Sequence, residues 1–143
     1  MTAKPARDEM ALTHYRMGAD GELRSATERA WSAAGTCRIA RDRATATAEM
    51  HLTTDGDEVT LAVTWRREPP DEGRYGTRWT YHDAHGGRWS VEYGYDGRWW
   101  CLFGPDGIPW GSLLQNAIAK SLTEATEYIA RTIARARDLE RFQ

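Results

Sequence analysis

The stretch Ala46-Thr47-Ala48-Glu49-Met50-His51-Leu52-Thr53-Thr54-Asp55-Gly56-Asp57-Glu58-Val59-Thr60-Leu61-Ala62-Val63-Thr64-Trp65 decides how this chain folds. Two runs of alternating apolar and polar residues flank Asp55-Gly56, a dipeptide that favours a two-residue type I′ turn. Such a loop sets Leu52 opposite Val59, Met50 opposite Leu61, Ala48 opposite Val63 and Ala46 opposite Trp65. Side chains alternate across a strand, so this register sends all eight residues to one face and Glu49, His51, Thr53, Thr60 and Thr64 to the other. The reading predicts an antiparallel hairpin whose Val63 and Trp65 belong to the core.

Upstream, Cys37 and Ile39 alternate with Arg38 and Ala40, which predicts another strand or an extension of the same one through a bulge near Ala44. Residues 25–35 read as a short helix. Ser25 and Glu28 have capping-box spacing, Ala26, Ala30, Trp31 and Ala34 supply an apolar side, and Gly35 sits where a left-handed C′ residue belongs. Residues 11–17 read as a short strand closed by the turn-rich Gly18-Ala19-Asp20-Gly21.

Downstream, Arg67-Glu68-Pro69-Pro70-Asp71-Glu72-Gly73 interrupts the alternation, because paired prolines donate no ladder hydrogen bonds. A loop over 67–76 is expected. Halves of about 70 residues would each be marginal alone, so a single domain over 1–143 is expected, its sheet crossed by this connection. Arg78-Trp79, Arg88-Trp89 and Arg98-Trp99 then recur every ten residues, about one strand plus one turn. A turn at Asp96-Gly97 pairs Tyr93 with Trp100 and Val91 with Leu102. A loop at His85-Gly86-Gly87 pairs Tyr81 with Val91 and Trp79 with Tyr93. Together these registers gather Trp79, Tyr81, Trp89, Val91, Tyr93, Tyr95, Trp100 and Leu102 on one face, with Trp99, Cys101 and Phe103 on the other.

After the turn Gly104-Pro105-Asp106-Gly107, positions 114, 118, 122, 125, 129, 133 and 136 carry Leu, Ile, Leu, Ala, Ile, Ile and Ala, the stripe of a long buried-face helix. Ser112 with Gln115 is one capping box at which it starts. Ser121 with Glu124 is another, and then Gly111 to Gln115 form one more strand. The expected fold is therefore α+β: a single antiparallel meander of six to seven strands, a short N-terminal helix, and a long C-terminal helix packed on the sheet. That order of elements is similar to the helix-grip arrangement of lipid-transfer and polyketide-cyclase-like proteins. The resemblance implies a ligand cavity between the sheet and the closing helix.

Composition narrows the function classes. The chain has 143 residues, 19 basic and 21 acidic side chains, a net charge of −2 and two cysteines. Residues 1–70 hold 10 basic and 11 acidic groups and residues 71–143 hold 9 and 10, so neither half is a charged arm for nucleic acid. The 17 arginines outnumber Lys4 and Lys120 as GC-rich codons would dictate, which removes arginine abundance as a clue. The absence of a long apolar run predicts no membrane span and a cytoplasmic protein. Cys37 and Cys101 form no C-x-x-C pair and read as buried small hydrophobes.

Motifs for catalysis are missing: there is no G-x-S-x-G, S-x-x-K or Walker spacing. No cofactor is expected, and an enzyme less than a binding protein. His82, Asp83 and His85 could face a metal, yet a closed zinc site needs four ligands and the sequence shows no further cluster, so none is expected. Arg131, Arg135, Arg137 and Arg141 read as solvated charge at a helix C-terminus. The feature out of proportion is the aromatic meander, with five of seven tryptophans between Trp79 and Trp110. Tryptophan and arginine dominate binding hot spots. The candidate binding residues are accordingly Trp79, Arg88, Trp89, Tyr93, Arg98, Trp99 and Trp100. They predict an accessory protein that acts through a protein partner. The alternative is a small hydrophobic ligand in an aromatic-lined cavity, with nucleic acid a weaker third.

Overall fold

The hairpin forms in the expected register. In a computed structural model that describes residues 12–17, 23–28, 31–69, 76–93, 100–107, 109–113 and 117–142, Leu52 faces Val59, Met50 faces Leu61, Ala48 faces Val63 and Ala46 faces Trp65. Val63 and Trp65 are fully buried. The turn differs from type I′ in one respect. Gly56 has φ of 79° but Asp55 does not share a positive φ, whereas type I′ needs both residues in that region.

Around this hairpin the elements run β1 (Leu12–Met17), β2 (Leu23–Glu28), β3 (Ser32–Ile39), β4 (Thr45–Thr54), β5 (Asp57–Glu68), β6 (Arg78–His82), β7 (Arg88–Tyr93), β8 (Trp100–Phe103), β9 (Pro109–Leu113) and α1 (Ile118–Phe142). Strands β3 to β9 form one antiparallel sheet in chain order, and β1 pairs with β2 in a separate ladder. The sheet thus takes strands from both sides of Pro69-Pro70. Strand β5 runs further than expected: Arg67 and Glu68 still pair with Trp79 and Arg78, so the first two residues of the predicted loop belong to the ladder.

The short helix over 25–35 is not formed. Residues 25–28 lie in β2 and residues 32–35 in β3, the latter paired with β4 from Ser32 opposite Thr53 to Ile39 opposite Ala46, and residues 29 and 30 lie outside the described residues. A helix of about eleven residues pays a costly nucleation step, whereas β3 gains a full ladder on a neighbour already fixed by its hairpin. Gly35 has another use than capping. It lies opposite Met50, and a Cβ there would collide with Met50 Cε and stand 2.8 Å from the Glu49 carbonyl oxygen. The glycine lets a buried methionine cross the edge strand. Trp31, assigned to the same helix, is buried just before β3. Its indole N–H donates to Asp138 Oδ2 at 3.1 Å and its carbonyl accepts from the Arg131 guanidinium at 3.3 Å.

Val91 faces Leu102 and Tyr93 faces Trp100, as expected. Trp79, however, faces Val91, and Tyr81 faces Trp89, a shift of two residues from the predicted pairing. Asp83 explains it: its carboxylate accepts from the backbone N–H of His85 at 2.9 Å and of Gly87 at 2.7 Å, closing a longer loop than His85-Gly86-Gly87. A shift of two keeps every side chain on its face, so the core assignment survives.

Helix α1 lies against β3, β4 and β5 and also reaches β8 and β9. Strands from both ends of the meander meet one helix, so the sheet curls around it, as accumulated strand twist favours. Trp65, Trp79, Trp89 and Trp100 join the core that fills the curl, with Leu122, Ala125 and Ile129 from the helix. The buried helix face is wider than the predicted stripe, for Ser121, Thr126, Ala130 and Ala134 are buried as well, while Ala136 is exposed. Position 114 lies outside the described residues. Ser112 sits in β9, and Ser121 is already within the first turn, its N–H donating to the Ala117 carbonyl at 3.0 Å. Neither capping box therefore starts the helix.

Candidate functional site

The expected binding residues divide into three groups. Trp79, Trp89 and Trp100 are core residues at 4%, 5% and 6% exposure, too covered to serve as a flat docking surface. Tyr93 is exposed, with its ring 4.3 Å from that of Trp100, centroid to centroid. Arg88 meets Glu68 Oε2 at 3.2 Å. Glu68 also accepts from Thr80 Oγ1 at 3.3 Å, and Arg78 pairs with Glu92 at 3.2 Å. Arg78 also meets Glu68 Oε2 at 3.7 Å, so Arg88 belongs to a polar network with Glu68, Arg78, Thr80 and Glu92. Arg98 and Trp99, with the Asp96-Gly97 turn and Tyr95, lie outside the described residues.

Trp79 and Trp100 nevertheless open onto a cavity. An open cleft of about 720 Å³ lies where the β3–β4 turn, the end of β5, the starts of β6 and β8 and the first residue of α1 come together. Its apolar lining comes from Ile39, Trp79, Trp100 and Ile118, and its charged lining from Arg41, Arg43 and Arg67. A volume of this order suits a small organic molecule.

The charged wall is built by a short, hydrogen-bonded turn. Arg43 N–H donates to the Ala40 carbonyl at 2.9 Å, Ala40 N–H to the Thr45 carbonyl at 2.9 Å, and Ala44 N–H to Asp42 Oδ1 at 3.0 Å. Arg67 N–H reaches back to the Ala44 carbonyl at 2.8 Å, tying the end of β5 to the same turn. Arg43 has φ of 57°, a left-handed conformation that is uncommon for residues other than glycine. Arg41, Arg43 and Arg67 are all exposed.

The His82-Asp83-His85 segment is organised around its carboxylate. Besides the two backbone donors, Asp83 Oδ2 accepts from the Trp89 indole at 3.1 Å. Burial pushes the Asp83 carboxyl upward, but these three hydrogen bonds and the neighbouring His85 outweigh it and hold it below the usual value of 3.8. Among the described residues, no group of three or more His, Cys, Asp and Glu side chains converges as a metal site. Burial and the Asp83 charge raise the Tyr81 phenol, and burial raises the Cys37 thiol.

A second aromatic group closes the layer between helix and sheet. Trp110 on β9 contacts Trp89 at 5.3 Å and Tyr128 of α1 at 6.1 Å in an edge-on arrangement. Trp110 and Tyr128 keep 40% and 46% of their surface exposed. A Cβ on Gly104 would collide with the Trp110 indole nitrogen, so this glycine is the seat of the ring.

Reading the sequence missed Arg41, Arg43 and Arg67. The pair Arg41 and Arg43 flanks the apex of the β3–β4 turn, a visible signal, but Arg67 is 24 positions further on and joins them only through pairing of β4 with β5. No helix among the described residues is long and apolar enough to cross a membrane. Comparison with family models, curated proteins and solved structures finds no match.

Proposed function

We propose that this chain is a binding protein whose ligand is a small molecule seated in the cleft between the β3–β4 turn and the start of α1. The observation that carries the reading is the 720 Å³ cleft with Trp79 and Trp100 in its wall. Tryptophans there offer planar apolar surface to a ligand, which accounts for part of the indole density of the meander. The reading carries a cytoplasmic setting with it, supported by Cys37 and Cys101 remaining free thiols. A thermal-shift screen against a library of small organic molecules tests it. Ligands that raise the melting temperature of the parent protein should lose their effect on Ile39→Trp, which fills the cleft. A screen with no stabilising compound, or compounds indifferent to Ile39→Trp, overturns the reading.

A protein partner is the second reading, favoured by the adjoining exposed rings of Trp110 and Tyr128. Exposed aromatics of this kind anchor interfaces. Cross-linking from a photoreactive residue at position 128 to one specific protein in cell extract, lost on Trp110→Ala with the fold retained, would favour it over the ligand.

A further inference from the structure

We propose that the cleft selects an organic anion: a carboxylate carrying an apolar body, its head group held by Arg41, Arg43 and Arg67 and its body against Ile39, Trp79 and Trp100. The inference rests on the ligand-binding reading above and names the class of ligand.

Three arginines line one cavity, and among the described residues no aspartate or glutamate lines it. Three arginines on the sheet and helix have carboxylate partners: Arg78 meets Glu92 at 3.2 Å, Arg88 meets Glu68 at 3.2 Å and Arg131 meets Glu127 at 3.3 Å. No described side chain forms an ion pair with Arg41, Arg43 or Arg67. The one carboxylate of the turn, Asp42, accepts from the Ala44 N–H and pairs with neither neighbouring arginine, so the three like charges repel at a cost that a bound anion returns, and a guanidinium fork meets a carboxylate through two parallel hydrogen bonds. The start of α1 adds to the same sign, since Ile118 lines the cleft and the first turn of the helix holds no acidic residue. Against a chain of net charge −2, this positive pocket is local, so it selects a small ligand rather than a polyanion.

The strained turn is independent support. Arg43 occupies a left-handed conformation that glycine would adopt without cost. Glycine there would relax the turn but remove a guanidinium from the cleft, so the conformation works against stability and in favour of charge at this place.

The test uses decanoate and 1-decanol, which share an apolar body and differ in the head group, titrated at low salt and followed by tryptophan fluorescence and indole N–H resonances. Decanoate should bind at least about tenfold more tightly than decanol, with the preference shrinking as salt is raised. The double variant Arg41→Gln/Arg67→Gln should lose that preference while its decanol affinity stays the same. Arg43→Gly should weaken decanoate binding and melt no lower than the parent protein, a combination that a purely structural role for Arg43 does not produce. Decanol binding with no preference for decanoate, or a preference that survives in the double variant, overturns the anion assignment and leaves ligand binding standing. Binding of neither probe overturns the anion assignment, and a barren library screen on Ile39→Trp and its parent then overturns the ligand reading with it.

Discussion

The indole N–H of Trp65 donates to Thr126 Oγ1 at 3.0 Å, and both residues are fully buried. Thr126 in turn donates to the Leu122 carbonyl at 2.7 Å. Strand β5, an interior strand of the sheet, is thereby fixed to α1 at one place along the helix, setting how the sheet curls round it and where the start of the helix meets the cleft.

Thr126→Val keeps the shape and strands the Trp65 N–H without water. It should cost about 1–3 kcal/mol in denaturant unfolding. Trp65→Ala, which empties the centre of the core, should cost about 3–5 kcal/mol. A loss under about 1 kcal/mol for Trp65→Ala would contradict the position of this ring.

Gly35→Ala reports whether residues 32–39 are strand. The added Cβ meets Met50 and the Glu49 carbonyl, so the variant should lose about 1–3 kcal/mol by overpacking. Met50→Ala removes the side-chain part of that obstruction and leaves the Glu49 carbonyl, and the two changes should couple by more than about 0.5 kcal/mol in a double-mutant cycle. Additive effects would remove the contact.

Asp83 predicts an acid-sensitive loop. Its folded carboxyl lies below the ordinary value of 3.8, so its contribution is complete above that value and is lost as pH falls through the lower folded one. The stability gap between the parent and Asp83→Ala should be constant near neutral pH and narrow in acid. Removing the acceptor also strands the Trp89 indole, worth about 1–2 kcal/mol at neutral pH. A gap that widens in acid would reverse the sign.

Arg88→Ala should change stability by less than about 1 kcal/mol, because its partner Glu68 is a partly exposed carboxylate. Ligand-induced changes in tryptophan fluorescence should be unaffected, since Arg88 does not line the cleft. Loss of decanoate binding in a folded Arg88→Ala protein would relocate the site to the sheet face that carries the Glu68 network.

What the residues determined alone was the pleat. Strict alternation from Ala46 to Trp65 specified the hairpin register, and alternation in the meander put Trp79, Trp89, Val91, Trp100 and Leu102 on the buried face, even though the loop at Asp83 moved one pairing by two residues. Period-two patterns are local and survive such a shift. The period of α1 was legible for the same reason. Tertiary structure decided everything that depends on partners distant in sequence. Residues 25–35 carry helix signals, yet Ser32 to Ile39 pair with a strand held in place by its own hairpin, and that ladder outweighs a cap and one glycine. The cleft is the clearest case. Arg41, Arg43 and Arg67 become neighbours through the β4–β5 ladder, and Trp79, Trp100 and Ile118 join them because the sheet curls around the helix. Spacing along one strand carries no record of that closure, because closure is set by the sum of twists over seven strands and by where α1 is fastened at Trp65.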